Sequence, residues 1–251
     1  MDKRFFIDKT CFIDVDFEKG APAIGSTINL PQEEHMHFAK VLRGKIGDTI
    51  ECFMDGSDIY ECLVDDISKN RTVCHITKII PCPCNPKLNV TLFQGLPKLD
   101  KLELITQKLC EIGASKIVPF LSNFTIAKDN PNKINRLDKI VVSACKQCGR
   151  TALLKVAGTV KFDKMCSMLG SYDLVIFASE KETSNTLIGT LLAHKGAKNI
   201  AYIIGSEGGF SPSEIETLST LATSVTLGNR ILRTETAAIC VASNIFCVLD
   251  S

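Results

Sequence analysis

Apolar and polar residues alternate with a period of two along much of the first 80 residues, which is the pattern of half-buried β-strands. Residues 50–54 and 59–64 alternate on either side of the turn-forming run 55–58, and this predicts a β-hairpin. Residues 72–80 predict a further strand, and apolar side chains at helical spacing within 33–43 predict a short helix. Together these elements indicate a small barrel-like β domain.

A different pattern begins after the Pro-rich stretch 81–86, which we expect to be an extended linker. From there, short apolar runs alternate with amphipathic helical stretches, which predicts a mostly parallel sheet covered by helices on both faces. The fold class is therefore α/β, with a β-barrel domain at 1–82 and an α/β domain at 83–251. The strands predicted for the second domain are residues 90–93, 117–120, 174–177, 202–204 and 225–227.

The last predicted helix, from Thr234 to about Leu249, has almost no polar face. A helix that is apolar all round must be buried all round. Burial inside the subunit and burial against a second subunit both satisfy this requirement.

Two glycine-containing loops near the C-terminus are the strongest indication of a binding site. The first, 205–210, leaves an apolar strand and enters a helix that Ser211 can cap, with Glu214 completing a capping box. The second, 227–233, also runs from a strand into a helix. Such loops present backbone N–H groups at the carboxyl ends of parallel strands, where α/β proteins bind small ligands. We expect the two loops to lie at neighbouring strand ends.

The amino-acid composition limits the kinds of protein to which this chain can belong. A chain of 251 residues with 45% apolar residues can bury a substantial core. No segment approaches the roughly 20 apolar residues of a membrane span, and residues 1–4 do not lead into the apolar region of a signal peptide. Twelve cysteines without a secretory signal fit a reducing compartment. We therefore predict a cytoplasmic protein with no membrane partner.

Two close cysteine pairs raise the question of a metal site. Cys82 and Cys84 lie in the Pro-rich stretch, and Cys145 and Cys148 fall three residues apart on a predicted helix. Neither pair is accompanied by a second C-x-x-C or by a histidine pair at zinc spacing, so we predict no metal.

The net charge of +1 conceals an uneven distribution. Residues 98–164 carry 13 Lys or Arg against 6 Asp or Glu, and the rest of the chain is acidic. A basic segment of this kind is typical of a surface that binds a polyanion, although a solvated Lys-rich helix face gives the same count. The G-x-G-x-x-G and G-x-x-x-x-G-K-[ST] patterns do not occur, which argues against NAD and ATP but not against another nucleoside-containing ligand.

Several segments spread along the chain match one known family in order and spacing. They are HFAKVLR at 37–43, QGLPK at 94–98, EIG at 111–113 with IVP at 117–119, QCGR at 147–150, IGSEGGF at 204–210 and LGNRILRTETA at 227–237. In these segments the chain resembles the SPOUT superfamily of knotted methyltransferases, and in particular the bacterial small-subunit ribosomal RNA (uracil-N3)-methyltransferase family RsmE.

The resemblance implies a PUA-like β-barrel that helps to hold RNA, followed by an α/β domain with a deep trefoil knot. It implies a homodimer with active sites at the subunit interface, which would account for the apolar last helix. The implied reaction is methylation of N3 of a uridine in 16S ribosomal RNA with S-adenosylmethionine (SAM). The residues expected to bind SAM are Gly205, Ser206, Glu207, Gly208, Gly209, Leu227, Gly228, Ile231 and Leu232.

Catalytic roles are assigned within this resemblance. Removing the N3 proton leaves a delocalised anion, which a guanidinium group can stabilise because it stays charged when desolvated. Arg233 is the first candidate for this role and Arg230 the second, with Glu207 or a bound water as the proton acceptor. In the alternative reading, Arg233 forms an ion pair with Glu235 or Glu207 and only shapes the loop. The residues expected to contact substrate RNA are Arg43, Lys98, Lys101 and Arg150.

The chain departs from the family pattern at three positions. Ser206 and Leu154 stand where the family commonly has Pro, and Phe124 stands near a usual Arg. The missing Arg removes one expected phosphate contact but leaves the cofactor loops intact. Two other functions remain open: a related knotted methyltransferase acting on another RNA position, and a non-catalytic RNA-binding factor in ribosome assembly.

Overall fold

The computed structural model describes residues 3–127, 130 and 133–250 and divides the chain into two compact units. The first unit comprises Met1–Asn85 together with Cys145–Leu153, and the second comprises Pro86–Ala144 with Leu154–Ser251. The first unit thus includes a short segment that a single division at residue 82 assigns to the second domain.

The first unit is built on a curled five-stranded sheet with the order β1-β3-β4-β5-β2. β1 pairs with β3 in parallel and the remaining pairs are antiparallel. The predicted hairpin and the strand that follows it are confirmed as β3, β4 and β5. The strands are β1 Arg4–Phe6, β2 Thr27–Asn29, β3 Thr49–Phe53, β4 Ile59–Ile67 and β5 Thr72–Ile80.

The predicted short helix is also present in the first unit, as α1 (Gln32–Met36) followed by a π-helical turn over His37–Val41. Phe38 is fully buried, and its ring meets that of Phe5 edge to face at 5.7 Å between centroids. Since an aromatic side chain buries a large apolar area, this pair fixes the helical segment to the sheet.

The segment Cys145–Leu153 is bound to the rest of the first unit by backbone hydrogen bonds. Asn85 Oδ1 accepts bonds from the N–H groups of Thr151 and Ala152, both at 2.9 Å, and Gly56 N donates to the Thr151 carbonyl at 3.1 Å. Asn85, which lies within the stretch 81–86 predicted to be an extended linker, holds this segment with its side-chain oxygen.

The second unit is organised around a seven-stranded sheet of parallel strands, as predicted, with the order β12-β10-β11-β6-β7-β8 and β9 beside β7. Its strands are β6 Asn89–Gly95, β7 Lys116–Leu121, β8 Lys155–Val156, β9 Val160–Lys161, β10 Leu174–Ala178, β11 Asn199–Ile204 and β12 Thr223–Val225. The helices that follow α1 are α2 Leu99–Ile112, α3 Lys133–Cys148, α4 Phe162–Met168, α5 Leu187–Ala193, α6 Pro212–Leu221 and α7 Thr234–Leu249.

Helix α7 is buried on one side only within a single chain. Ala238, Val241 and Ile245 are fully buried, whereas Ile239 and Cys240 on the opposite side remain half-buried. The predicted all-round burial is therefore not completed inside this chain. No helix in the described part of the chain combines the length and apolarity needed to cross a membrane.

Candidate active site

The carboxyl ends of the parallel strands place several loops along one edge of the second unit's sheet. The loops after β11 and β12 are at this edge, but β10 lies between those two strands. The expectation of neighbouring strand ends was therefore wrong, because β12 is the edge strand and pairs with β10.

The C-terminal end of the loop after β11 is held by ring packing and by a helix cap. Phe210 packs against Phe120 and Phe177 with ring centroids 6.1 and 5.4 Å apart. The predicted capping box is present, since Ser211 Oγ accepts a bond from Glu214 N and Glu214 Oε2 accepts one from Ser211 N. Glu207 precedes these anchors and is exposed, and its Oε1 accepts a 3.4 Å bond from Lys98 N.

Two glycines allow distant backbone segments to touch at this edge. A Cβ atom on Gly95 would lie 2.4 Å from Ser206 N, and one on Gly208 would lie 2.5 Å from the Phe124 carbonyl oxygen. Both distances are far below van der Waals contact, and the atoms concerned belong to the backbone. Glycine is therefore required at these two positions for the loops to approach one another.

A buried hydrogen-bond network links the ends of β6 and β11 to the start of α7. Thr234 Oγ1 donates to the Gly205 carbonyl at 2.6 Å, and it accepts a 2.8 Å bond from Gln94 Nε2. Gln94 Nε2 also approaches the Gly95 and Gly205 carbonyls at 3.0 and 3.3 Å. Because the threonine proton points to Gly205, the glutamine must be the donor in the bond between the two side chains.

The loop after β12 offers unpaired backbone donors. Gly228 adopts a φ of +100°, and its Cβ position faces open space. Within the described residues, no hydrogen bond engages the backbone N–H groups of 229–232. Ile231 is 80% exposed. This loop therefore presents donors and an apolar side chain to an incoming ligand.

The charged residues at the entry of α7 have separate environments. Lys101 Nζ lies 3.1 Å from Glu235 Oε1, and the Glu235 side chain is only 11% exposed. Desolvation raises the pKa of Glu235, but its own backbone N–H, Lys101 and the nearby positive charge of Arg233 together hold that pKa below its usual value. Arg233 and Arg230 are both exposed, and neither forms an ion pair among the described residues. The structural alternative for Arg233 is thus not realised, since Glu235 pairs with Lys101.

The four residues expected to contact RNA fall in different places. Lys98 precedes α2 and is exposed, while Lys101 lies one turn further on and is engaged with Glu235. Arg43 is exposed in the first unit and has a φ of +52°. Arg150, also in the first unit, is only 2% exposed, so a phosphate contact would require its side chain to move.

Comparison with known proteins places the chain in a family. A family model of the RNA methyltransferase domain matches residues 84–246. Ribosomal RNA small subunit methyltransferase E of Buchnera aphidicola (subsp. Acyrthosiphon pisum) is 34% identical over 215 residues, 84% of this chain and 83% of that protein. The protein of the same name from Bacillus subtilis is 30% identical over 230 residues, 87% of this chain and 89% of that one.

The chain belongs to the ribosomal RNA small subunit methyltransferase E (RsmE) family.

A solved structure agrees with this assignment in fold. The crystal structure of ribosomal RNA small subunit methyltransferase E from Neisseria gonorrhoeae bound to S-adenosyl methionine has a TM-score of 0.84 at 24% identity, over 98% of each chain. A methyltransferase from Legionella pneumophila in complex with SAM gives the same values. The predicted fold class, a SPOUT-type parallel-sheet domain preceded by a small β domain, is confirmed.

Sequence reasoning did not single out two residues of this RsmE-family site. Gln94 and Thr234 lie inside matched segments, yet no role was given to either. The available signal was the position of an amide side chain at the end of a buried apolar strand, where its polar atoms need partners.

The three residues that depart from the family pattern lie in or near the second unit's loops and core. Ser206 is buried beside the Gly95 contact, and Leu154 is buried in the second unit. The backbone of Phe124 touches Gly208, and its ring is 48% exposed. An exposed aromatic ring therefore stands beside the first loop where an Arg is usual.

Proposed function

We propose that this protein methylates N3 of a uridine in 16S ribosomal RNA of the small subunit, using SAM as the methyl donor. Membership of the RsmE family supports an RNA methyltransferase acting on ribosomal RNA. The structural observation that supports the proposal is the buried Gln94–Thr234–Gly205 network, because it connects the loop after β11 to the end of the loop after β12.

The loops have the features that SAM requires. Gly209 and Gly228 have positive φ values and open space at their Cβ positions, so a flat purine can approach the backbone there. The free N–H groups of 229–232 can donate to ring nitrogens or to a carboxylate. We propose that Gly205, Ser206, Gly208, Gly209 and the 227–232 loop hold the cofactor, with contacts from Glu207, Leu227, Gly228, Ile231 and Leu232. When bound, SAM supplies an electrophilic methyl group on a sulfonium sulfur.

The chain's own residues must make uracil N3 nucleophilic. The N3 proton has to leave, and the charge that remains is shared with the two carbonyl oxygens of the ring. We assign Glu207 Oε2 or a water molecule as the proton acceptor, since Oε1 already faces Lys98 N. We assign Arg233 to stabilise the anion, because its guanidinium is exposed at the entry of α7 and carries no competing ion pair in the described structure. Arg230 is the second candidate.

RNA recognition is assigned to exposed basic residues in both units. Arg43 and Lys98 offer cations at the surface, while Lys101 and Arg150 are engaged or buried and would act only after rearrangement. Phosphate contacts of this kind position the RNA without reading its sequence. We further assign RNA holding to the curled sheet of the first unit.

We infer a homodimer from the incomplete burial of α7. The side that carries Ile239, Cys240 and Cys247 is largely apolar but is not covered within one chain, and a second copy of the chain would cover it. Light scattering should give twice the chain mass of 27.4 kDa for active protein, and a monomer would contradict this inference. A protein that methylates ribosomal RNA works where ribosomes are made and used, and we infer the cytoplasm as its location.

The decisive experiment is nucleoside mass spectrometry of small-subunit ribosomal RNA from a strain that lacks this protein. We expect 3-methyluridine to disappear and to return with the wild-type gene but not with an Arg233→Ala variant. Loss of a ribose-methylated nucleoside instead would support the related methyltransferase, and an unchanged profile would support the non-catalytic factor. Calorimetry with SAM distinguishes the non-catalytic factor from both methyltransferases, because a protein that transfers no methyl group does not need to bind SAM.

A further inference from the structure

Three cysteines of the first unit converge inside its sheet. Cys52 lies on β3, Cys62 on β4 and Cys74 on β5, three strands that are adjacent in the sheet. Their Sγ atoms all lie within 4.8 Å of one another, and all three side chains are 0% exposed. The spacing along the sequence hides this group, because only strand pairing brings the residues together.

Strand register argues against a disulfide within the group. Cys52 is paired with Tyr60 and Cys74 with Val64, so each of these cysteines is a diagonal neighbour of Cys62 rather than its direct partner. Diagonal residues have Cα atoms about 7–8 Å apart, whereas a disulfide needs about 4.4–6.8 Å. The sulfur atoms therefore face a common centre without being placed to bond with one another.

The group has the dimensions of a three-sulfur metal site. Sulfur atoms about 2.3 Å from a shared ion would be about 4.0 Å apart in a trigonal arrangement. The upper limit of 4.8 Å requires a contraction of less than about 1 Å, which side-chain rotation can supply. No fourth His, Cys, Asp or Glu joins this group in the described part of the chain. Structural zinc sites are closed by four protein ligands, which three sulfur atoms do not supply, whereas the soft ion Cu(I) is also bound by thiolates.

The surroundings favour a soft ion over a hydrated one. The three cysteines belong to one buried cluster with Ile50, Val64 and Ile76, so water is kept from the sulfur atoms. A dry, all-sulfur site offers nothing to a hard cation that prefers oxygen ligands. We propose that Cys52, Cys62 and Cys74 together bind one Cu(I) ion as thiolates, with their S–H protons released to solvent as the Cu–S bonds form, and that the ion ties β3, β4 and β5 together. This replaces the sequence-based expectation that the protein has no metal site.

The test is an anaerobic titration of the full-length protein with Cu(I) in the presence of the chromogenic competitor bicinchoninate. We expect one tightly held copper per wild-type chain and none in Cys62→Ala. The matched control is Cys110→Ala, which removes a fully buried cysteine of the second unit and should keep the copper. Because the site is closed to solvent, protein expressed in copper-supplemented medium provides a second route of loading. X-ray absorption should show three sulfur neighbours at about 2.3 Å.

Three outcomes would overturn the proposal: equal copper in wild type and Cys62→Ala, coordination by fewer than three sulfur atoms, or retention of zinc but not copper. Exposed Cys84 and Cys247 are the sources of adventitious binding, and copper that disappears in a Cys84→Ser, Cys247→Ser variant would count against the buried site. If Cys62→Ala folds poorly, the proposal is tested by the thermal unfolding midpoint of the protein with and without copper. Copper must raise this midpoint in wild type and leave it unchanged in Cys52→Ser and Cys74→Ser. SAM binding by the second unit serves as an independent control of integrity.

Discussion

Thr234, the first residue of the last helix, donates a 2.6 Å hydrogen bond to the carbonyl of Gly205, the first residue of the loop after β11. One hydroxyl group thus connects the two loops that form the ligand-binding edge. The same oxygen accepts the Gln94 amide, so three separate segments of the chain share a single side chain. In the proposed cofactor site, this oxygen holds the two loops in place.

Thr234→Val should weaken SAM binding, because it keeps the shape of the side chain and removes its hydroxyl. The Gly205 carbonyl and the Gln94 amide would then each lose their shortest hydrogen bond and keep only the longer bonds of Gln94 Nε2 to the Gly95 and Gly205 carbonyls, a loss of about 0.5–1.5 kcal/mol per bond removed. We expect calorimetry to show a roughly tenfold or greater loss of SAM affinity. Thr234→Ser retains the hydroxyl and should bind SAM almost as wild type. Equal affinity of the valine and serine variants would show that the network does not shape the site.

Gly208→Val should abolish SAM binding while leaving the protein folded. Even a single Cβ at this position would lie 2.5 Å from the Phe124 carbonyl, so the loop must move away. Gly158→Ala is the matched control, because its Cβ would meet nothing within 4 Å. We expect circular dichroism to be unchanged in both variants and calorimetry to separate them. A Gly208→Val protein that binds SAM normally would refute the assignment of this loop.

Arg233→Lys should lower turnover by about tenfold or more with little change in SAM affinity. Lysine keeps the charge but loses the planar fork that matches a delocalised anion. The measurement is single-turnover methylation of small-subunit RNA, with Arg136→Lys as control because Arg136 lies on α3 and pairs with Glu103. If Arg233→Lys reacts at the wild-type rate, the stabilising role passes to Arg230.

Lys101→Met should destabilise the protein by about 1 kcal/mol at neutral pH, as expected for a partly buried ion pair. The pKa of Glu235 is lower in the folded protein than the ordinary value of 4.5, so the pair contributes fully above that value. The contribution is lost as the pH falls through the folded pKa. Thermal unfolding of wild type and Lys101→Met should therefore differ at pH 7 and converge in acid. A difference that persists after Glu235→Gln in a double-mutant cycle would exclude this pair as the cause.

Charge reversal at exposed basic residues should weaken RNA binding without affecting SAM. Arg43→Glu and Lys98→Glu should each reduce affinity for small-subunit RNA and lower the slope of log affinity against log salt, because fewer counterions are released. Lys195→Glu serves as control, since Lys195 is also exposed but lies after α5 and is not among the residues assigned to RNA contact. Equal losses for all three variants would indicate a general charge effect rather than a defined contact.

The local pattern of the sequence was enough to locate most elements of both units. The alternation in β4 and β5 and the capping box at Ser211 and Glu214 appear where they were predicted, because they depend on neighbouring residues only. The strand expected at 225–227 ends instead at Val225, and Thr226 forms only a single bridge with Thr186. The apolar pattern of a segment does not show at which residue its pairing with the neighbouring strand ends.

The sequence by itself determined the two classes of structure, the glycine loops and the family, since each is written in residues close together along the chain. Only the tertiary structure placed β10 between the loop-bearing strands and returned Cys145–Leu153 to the first unit. It also paired Lys101 with Glu235, joined Gln94 to Thr234, and gathered the three buried cysteines. These relations depend on strand order and register, which arise from packing between segments distant in the chain and leave no periodic trace within any one of them.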